Sequence, residues 1–335
     1  MKALLCEGWD GYRGLKFVDA PPPALPAGCV RIAVAYSTVS FGQLLVVAGT
    51  YQRKPPLPFV PGTEISGIVM EAAPDVSGFK PGDRVAASLD WGGYGEQAIA
   101  TAETVWHIPD GVELRDAAAI PLTYGTAYAA LHWRGGLVSG QTLLVLGAAG
   151  GVGLPAVELG KLAGAHVLAV GSSRERLELA RAHGADEGLL HTESELGQRV
   201  KALTNGRGAD LVFDPVGGAL FAETLRCTAA LGRILVIGFA SGTIPQIPAN
   251  ILLVKNIDVI GFNFGIYLGW SPVDERKLHA ARLREMMQAL FRLTLEGRIK
   301  PTSSDCYLLR DFTSAFEAVE NRRSFGRVLI QVNGG

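Results

Sequence analysis

Gln141–Arg176, QTLLVLGAAGGVGLPAVELGKLAGAHVLAVGSSRER, is the stretch whose reading decides the fold. Thr142–Leu146 is a short apolar run bounded by turn residues, as a buried parallel strand is. Glycines follow at 147, 150, 151 and 153, and Val152–Ala163 then sets apolar residues at helical spacing. His166–Val170 is a second apolar run, so the stretch reads as strand, helix and parallel strand. Against the dinucleotide fingerprint G-x-G-x-x-G the cluster fits as Ala148-x-Gly150-x-x-Gly153, with alanine in the first place. Small residues at such a turn let the backbone approach a pyrophosphate, and the helix N-terminus presents N–H groups and the positive end of its dipole. Gly150, Gly151, Val152 and Gly153 are therefore the expected pyrophosphate cradle.

The end of the second strand bears on which dinucleotide is bound. An NAD site places Asp or Glu about 20 residues past the glycines, against the ribose 2′-hydroxyl. Here the chain reads Gly171-Ser172-Ser173-Arg174-Glu175-Arg176, with no acid at the strand end. Hydroxyls and guanidiniums suit a 2′-phosphate, because the guanidinium fork binds phosphate in a bidentate way. Ser172, Ser173, Arg174 and Arg176 thus point to NADPH. A serine here also suits the N-cap of the next helix, and the two roles are compatible.

Alternation of strands and helices continues outward from this unit. Gly188–Leu190, Asp210–Phe213, Arg233–Gly238 and Ile257–Phe262 complete six strands, the number of a doubly wound Rossmann sheet. Gly217, Gly238, Phe239 and Ala240 fall at carboxyl ends of later strands, where such a sheet binds its ligand. A helical stretch from Asp116 to Leu131 precedes the unit, and Pro121 within it should kink or restart the helix. Residues 1–110 are strand-and-turn material without βαβ alternation. Val30–Ala35, Ile65–Glu71 and Arg84–Ala87 are short strands, and Pro61-Gly62 and Pro81-Gly82-Asp83 mark turns. Glu275–Leu295 and Asp311–Asn321 are amphipathic helices and Gly326–Val332 is a closing strand. Lacking a glycine-rich turn, these tail elements belong with the first lobe. The expected organisation is 1–123 with 266–335 as one domain and 124–265 as the Rossmann domain inserted in it.

Composition narrows the function. Thirty-one basic and 32 acidic residues leave a net charge of −1, which gives no electrostatic basis for binding nucleic acid or an anionic membrane. The start is strand-like rather than a signal peptide, and no segment has the length of a transmembrane helix, so the expected location is cytoplasmic. Cys6, Cys29, Cys227 and Cys306 are scattered and show no metal-binding or disulfide pairing.

Several further segments occur in one order along nearly the whole chain. They are Ala48-Gly49-Thr50-Tyr51, Pro58–Glu64, Gly78–Val85, Gly93–Glu96, Ile120–Leu131, Ala148–Gly153, Asp214–Gly218 and Gly232–Gly242. Together they resemble the zinc-independent quinone oxidoreductases of the medium-chain dehydrogenase/reductase superfamily. The resemblance implies a GroES-like catalytic domain beside the Rossmann domain, giving an α/β fold with a six-stranded parallel sheet and a β-rich lobe. Zinc-dependent relatives use Cys and a Gly-His-Glu triplet. Here Ser37–Gln43 has no Cys and the triplet reads Gly62-Thr63-Glu64, and threonine does not replace imidazole as a zinc ligand. No metal is expected.

The resemblance also places site residues. It puts Thr123, followed by Tyr124, at the nicotinamide end, Phe264 near the nicotinamide amide, and Arg322 at the cofactor phosphates. His191 falls where relatives often have a tyrosine flanking the adenosine. A solvated helix-end charge is the alternative for Arg322, as is an exposed histidine for His191. Tyr51 is the main polar candidate at the acceptor, supported by Ser40 and Gln43, which align where many relatives have Asn and Asp. A tyrosine can stack on a flat quinone and donate to a developing oxyanion, although a packed loop tyrosine is the plainer reading.

Without a Lewis acid, reduction of an already electrophilic acceptor is the easier chemistry. The expected function is transfer of reducing equivalents from NADPH to a quinone. The alternatives are reduction of an enoyl or acryloyl thioester or another activated alkene, and a non-catalytic NADPH-binding protein, crystallin-like or RNA-associated. A thioester of coenzyme A predicts a basic groove, for which Arg310, Arg322, Arg323 and Arg327 are the candidates. Relatives commonly pair Rossmann edge strands, so a homodimer through Ile257–Phe262 is expected.

Overall fold

A computed structural model describes residues 1–193 and 195–333. The chain divides into two compact units. One comprises Met1–Leu122, Gly265–Gly297 and Pro301–Gly335; the other comprises Thr123–Phe264 and Arg298–Lys300.

The first unit is β-rich. Its early strands are β1 (Lys2–Leu5), β2 (Lys16–Asp19), β3 (Cys29–Val39), β4 (Glu64–Ala72), β5 (Arg84–Ser88), β6 (Gln97–Thr101) and β7 (Val105–His107). The second unit holds β8 (Thr142–Leu146), β9 (His166–Gly171), β10 (Glu187–Leu190), β11 (Ala209–Asp214), β12 (Thr228–Val236) and β13 (Asp258–Gly261). The chain then returns to the first unit with β14 (Ser303–Leu308) and β15 (Arg327–Gln331).

The larger sheet of the first unit has the order β14-β15-β3-β4-β5-β7, with β6 paired to β3. Strand β3 alternates half-buried and buried residues from Cys29 to Val34 and is fully buried over its last three, Ser37 to Val39. It runs beyond the Val30–Ala35 segment read from alternation, because its last residues pair with β15, Val39 opposite Val328 and Tyr36 opposite Gln331. Nothing local in the sequence signals a partner almost 300 residues away. One core of this unit gathers Val30, Ile32, Val34, Ile65, Val69 and Val85. A second gathers residues such as Leu4, Tyr12, Val47, Phe59 and Phe316, with Tyr51 packed at its margin.

In the second unit all six strands run parallel, in the order β10-β9-β8-β11-β12-β13. Chain direction across the sheet reverses between β8 and β11, which is the switch point of a doubly wound sheet. The central strands are apolar on both faces, as burial under two helical layers requires. Ile257–Phe262 proves to be the outermost strand, trimmed to Asp258–Gly261.

The helical stretch before β8, expected to kink or restart at Pro121, is broken into several segments. It consists of Leu114–Ala117, a wide π-type turn over Ile120–Tyr124, Gly125–Tyr128 and a second π-type segment over Ala129–Arg134. Pro121 removes an N–H from the ladder, and wide turns absorb the defect without ending the stretch. No helix among the described residues is long and apolar enough to cross a membrane.

Candidate functional site

The glycine cluster turns the chain from β8 into the helix Gly153–Leu162. Gly147 takes the left-handed conformation, φ 58°. A Cβ on Gly153 would lie 2.2 Å from the Gly147 carbonyl oxygen and 2.9 Å from the Ala148 backbone, so the helix starts there only with glycine. Pro155 falls in the first turn, where an N–H has no helical acceptor in any case. A backbone pressed this close leaves the open side of the turn to a ligand, and a pyrophosphate fits it.

Strand β9 ends at Gly171, and Ser173 caps the helix Arg174–Ala182 by accepting from the Arg176 N–H at 3.3 Å. The cap uses an oxygen lone pair and leaves the hydroxyl proton for another acceptor. Ser172 and Arg174 are exposed, and Arg176 is half-buried. Burial pulls the Arg176 guanidinium below its ordinary pKa, against the nearby Glu175 carboxylate. Gly171-Ser172-Ser173-Arg174 at the strand end includes no acidic side chain, so these residues fit a 2′-phosphate. His191 is exposed just past β10, and its N–H bonds the Gly171 carbonyl at 3.0 Å.

The carboxyl ends of β11 and β12 are knitted together. Asp214 is 1% exposed, and its Oδ1 accepts from Val216 N–H at 2.7 Å and Gly217 N–H at 2.8 Å. Its Oδ2 has no partner among the described residues. Burial raises the Asp214 pKa, and the two N–H groups only partly offset the rise. Gly217 is left-handed, and a Cβ there would come within 2.9 Å of the Phe239 ring. Ala240 N–H bonds Pro215 and Ser241 N–H bonds Val216, so Gly238, Phe239 and Ala240 lie on a loop fixed to Gly217.

Thr123 is buried in the second unit. The hydroxyl of its neighbour Tyr124 donates to Glu158 Oε2 at 2.6 Å, while Glu158 Oε1 meets His183 Nδ1 at 2.6 Å and Lys300 N–H at 3.0 Å. Tyr124 is therefore committed to a buried polar knot. Phe264 is buried, its ring 6.5 Å from that of Phe262.

The acceptor candidates stand together in the first unit. Ser40 caps the helix Phe41–Val47, its hydroxyl accepting from the Gln43 N–H at 3.3 Å. Gln43 is 4% exposed; its Nε2 donates to Thr63 Oγ1 at 2.9 Å and its Oε1 accepts from Gly62 N–H at 3.3 Å. Tyr51 is half-buried, and a Cβ on Gly42 would sit 3.9 Å from its ring. Burial pushes the Tyr51 hydroxyl up in pKa, tempered by the Gln52 side chain and the Arg53 charge. Arg53 in turn donates to Asp90 O at 3.1 Å and Oδ1 at 2.7 Å, with its guanidinium 5.5 Å from the Trp91 ring and 5.6 Å from that of Trp270.

Beneath these groups lies an ion pair that sequence reasoning did not anticipate. Glu64 is fully buried; Oε2 accepts from Thr38 Oγ1 at 2.7 Å and Arg327 Nη2 at 3.2 Å, and Oε1 from Leu122 N–H at 2.6 Å. The only available signal was a carboxylate inside the apolar run Ile65–Val69 and its flank. Arg327, one of the four arginines considered for a coenzyme A groove, is thereby occupied. Arg322 is exposed and left-handed, φ 53°, just past the helix Phe312–Glu320. Among the described residues no cluster of three or more His, Cys, Asp or Glu side chains could hold a metal ion.

Comparison with known proteins agrees with this architecture. Residues 26–110 match the alcohol dehydrogenase GroES-like domain, and residues 151–277 match the zinc-binding dehydrogenase family. The chain is 38% identical to quinone oxidoreductase-like protein 2 of Bos taurus over 99% of this chain and 92% of that one. It is 31% identical to the quinone oxidoreductase of Homo sapiens, over 95% and 94% of the two chains. The structure of Escherichia coli quinone oxidoreductase complexed with NADPH superposes with a TM-score of 0.91 at 26% identity, covering 99% of this chain and 100% of that one. The chain belongs to the medium-chain dehydrogenase/reductase superfamily of oxidoreductases, in its zinc-independent quinone oxidoreductase type.

Proposed function

We propose that the protein uses NADPH to reduce a quinone. The observation that carries this reading is the donor set around Tyr51, Ser40, Gln43 and Thr63, which offers hydroxyl and amide groups and neither imidazole nor thiolate. Such groups orient a flat carbonyl acceptor and stabilise charge growing on its oxygen, but they do not acidify an alcohol. When bound, NADPH supplies the hydride. The chain's own part is to hold the pyrophosphate over Gly150–Gly153, to pair the 2′-phosphate with Ser172, Ser173, Arg174 and Arg176, and to keep water from the acceptor. The E. coli relative with NADPH bound supports the choice of cofactor.

The test is NADPH oxidation, followed by absorbance, with a simple quinone and a crotonyl thioester side by side, and with NADH in parallel. Turnover of the quinone, with NADPH preferred, is expected. Preference for the thioester would replace the quinone by an activated alkene, and equal use of NADH would remove the role given to Arg174 and Arg176.

A homodimer through β13 belongs to the same reading. In the segment that leads into that edge strand the second unit exposes Ile244, Ile247, Leu253 and Val254, the last two about 80% exposed. An unpaired strand edge with apolar side chains is stabilised by pairing with its own copy. Light scattering should give twice the chain mass; a monomer at micromolar concentration would overturn it.

A further inference from the structure

We propose that the Thr63 hydroxyl is the donor to the acceptor's developing oxyanion, and that the buried amide of Gln43 is the positioning residue that aims it. This rests on the quinone-reductase reading and names the group that does its electrostatic work.

Thr63 is the half-exposed residue between buried Gly62 and buried Glu64. Its backbone cannot drift. Its carbonyl accepts from Leu89 N–H at 2.8 Å, and Gly62, left-handed at φ 97°, packs so closely that a Cβ would lie 2.8 Å from the backbone of Gly93 and Tyr94. Gln43 is equally fixed. Its Oε1 faces the Gly62 N–H, so a flipped amide would set two donors against each other, and Nε2 must point at Thr63 Oγ1.

A hydroxyl that accepts one such bond directs its own proton elsewhere. No described residue accepts from Thr63 Oγ1. The result is a pre-aimed O–H on the half-exposed side of the group that includes Ser40, Gln43 and Tyr51. Other candidates are less well prepared. The Tyr51 hydroxyl meets the side chain of Gln52, an exposed chain neighbour, rather than a buried and doubly held amide. Gln43 is 4% exposed, with Oε1 on the Gly62 N–H and one Nε2 proton on Thr63, so it acts by holding Thr63 rather than from the exposed side. Preorganised donors cost no reorientation when charge appears, and that is why they lower a barrier.

The chemistry balances simply. The acceptor gains one hydride, that is one hydrogen nucleus and two electrons, and the nicotinamide loses them. The negative charge collects on the acceptor's carbonyl oxygen. Thr63 gives that oxygen a hydrogen bond and keeps its proton, and the proton that completes the hydroquinone comes from solvent.

The experiment compares Thr63→Val, which keeps the shape and loses the hydroxyl, with Thr63→Ser and Gln43→Leu. Each is read by kcat and KM with NADPH and a simple quinone. Each is also read by the absorbance titration of bound 4-nitrophenol, whose phenolate stands in for the oxyanion, with NADP+ present. Thr63→Val should lose about 100-fold in kcat, the magnitude typical of one lost oxyanion donor, with KM for NADPH unchanged. Bound nitrophenol should titrate at a lower pH in the parent and in Thr63→Ser than in Thr63→Val. Gln43→Leu should fall between, since the hydroxyl remains but is no longer aimed. Equal kcat and equal nitrophenol titration in parent and Thr63→Val would overturn the proposal. So would Thr63→Ser failing as badly as Thr63→Val while melting like the parent, because packing rather than the hydroxyl would then matter. If quinone turnover is absent in the parent but the nitrophenol difference persists, the acceptor assignment fails and the oxyanion donor stands.

Discussion

The two units build their candidate functional groups by different means. The candidate cofactor cradle of the second unit is made of backbone: Gly147, Gly153 and Gly217 hold conformations or approaches that a Cβ would forbid. The acceptor end of the first unit is made of side chains whose functional meaning depends on their partners, as in Gln43 to Thr63 and Glu64 to Arg327. A backbone site tolerates no substitution at a few positions and is indifferent to side chains nearby. A side-chain site degrades by degrees, one hydrogen bond at a time. Each unit can be tested for the kind of failure it should show.

Failure should be most complete in the cradle. Gly153→Ala drives a methyl against the Gly147 carbonyl at 2.2 Å and the Ala148 backbone at 2.9 Å, with nothing flexible to yield. NADPH affinity, measured by quenching of protein fluorescence, should fall by at least about 100-fold, equivalent to about 2.7 kcal/mol. An alanine variant that binds normally would show that the turn can shift and that the cradle is not set by its backbone.

Next comes the buried ion pair. Removing one partner of such a pair strands the other charge and typically costs about 3–5 kcal/mol. Glu64→Ala strands Arg327, whose side chain is 11% exposed, and also unpairs Thr38 and the Leu122 N–H. Urea denaturation should show a loss of that size. A loss near that of a surface pair would mean that water reaches Arg327.

Selectivity for the 2′-phosphate should depend on a smaller term. Arg176→Ala should weaken NADPH by about tenfold or somewhat more, the worth of one charge-assisted hydrogen bond, and leave NADH affinity unchanged. Equal loss for both cofactors would move Arg176 from the phosphate to the fold, where its half-burial also gives it a place.

The contrast between the units explains what the sequence could disclose. Glycine spacing between an apolar strand and a helix is a local constraint, so the tight turn, the six strands and their doubly wound sheet could all be read along the chain. The same holds for Ser173, whose capping bond spans three residues. Thr63 and Glu64 could not be read in this way. Their roles come from Gln43, 20 residues away, and Arg327, 263 residues away, brought alongside by the pairing of β3 with β4 and β15. Gln43 could be picked out as a polar residue near the acceptor, but not its use as a fixed amide that orients a neighbour. Arg327 had the sequence profile of a free surface charge.

Asp214 gives the finest distinction, because it is a side chain serving a backbone site. Its carboxyl holds the Pro215–Gly218 turn through two N–H groups, yet burial leaves it with a raised pKa. In the unfolded chain the aspartate ionises at its ordinary value, about 3.9, while the native protein still holds the proton. Between that value and the raised native one the unfolded state binds fewer protons, so stability falls as pH rises through the window and levels off above it. Asparagine keeps an oxygen for Val216 and Gly217 but cannot ionise. The stability of the parent relative to Asp214→Asn, from urea melts at a series of pH values, should therefore decline from acid toward neutral pH. A difference that rises with pH would mean that the two N–H groups outweigh burial and that the native carboxylate is charged throughout. The turn would then be held by a full charge, and its grip on Gly217 and Phe239 would weaken in acid rather than strengthen.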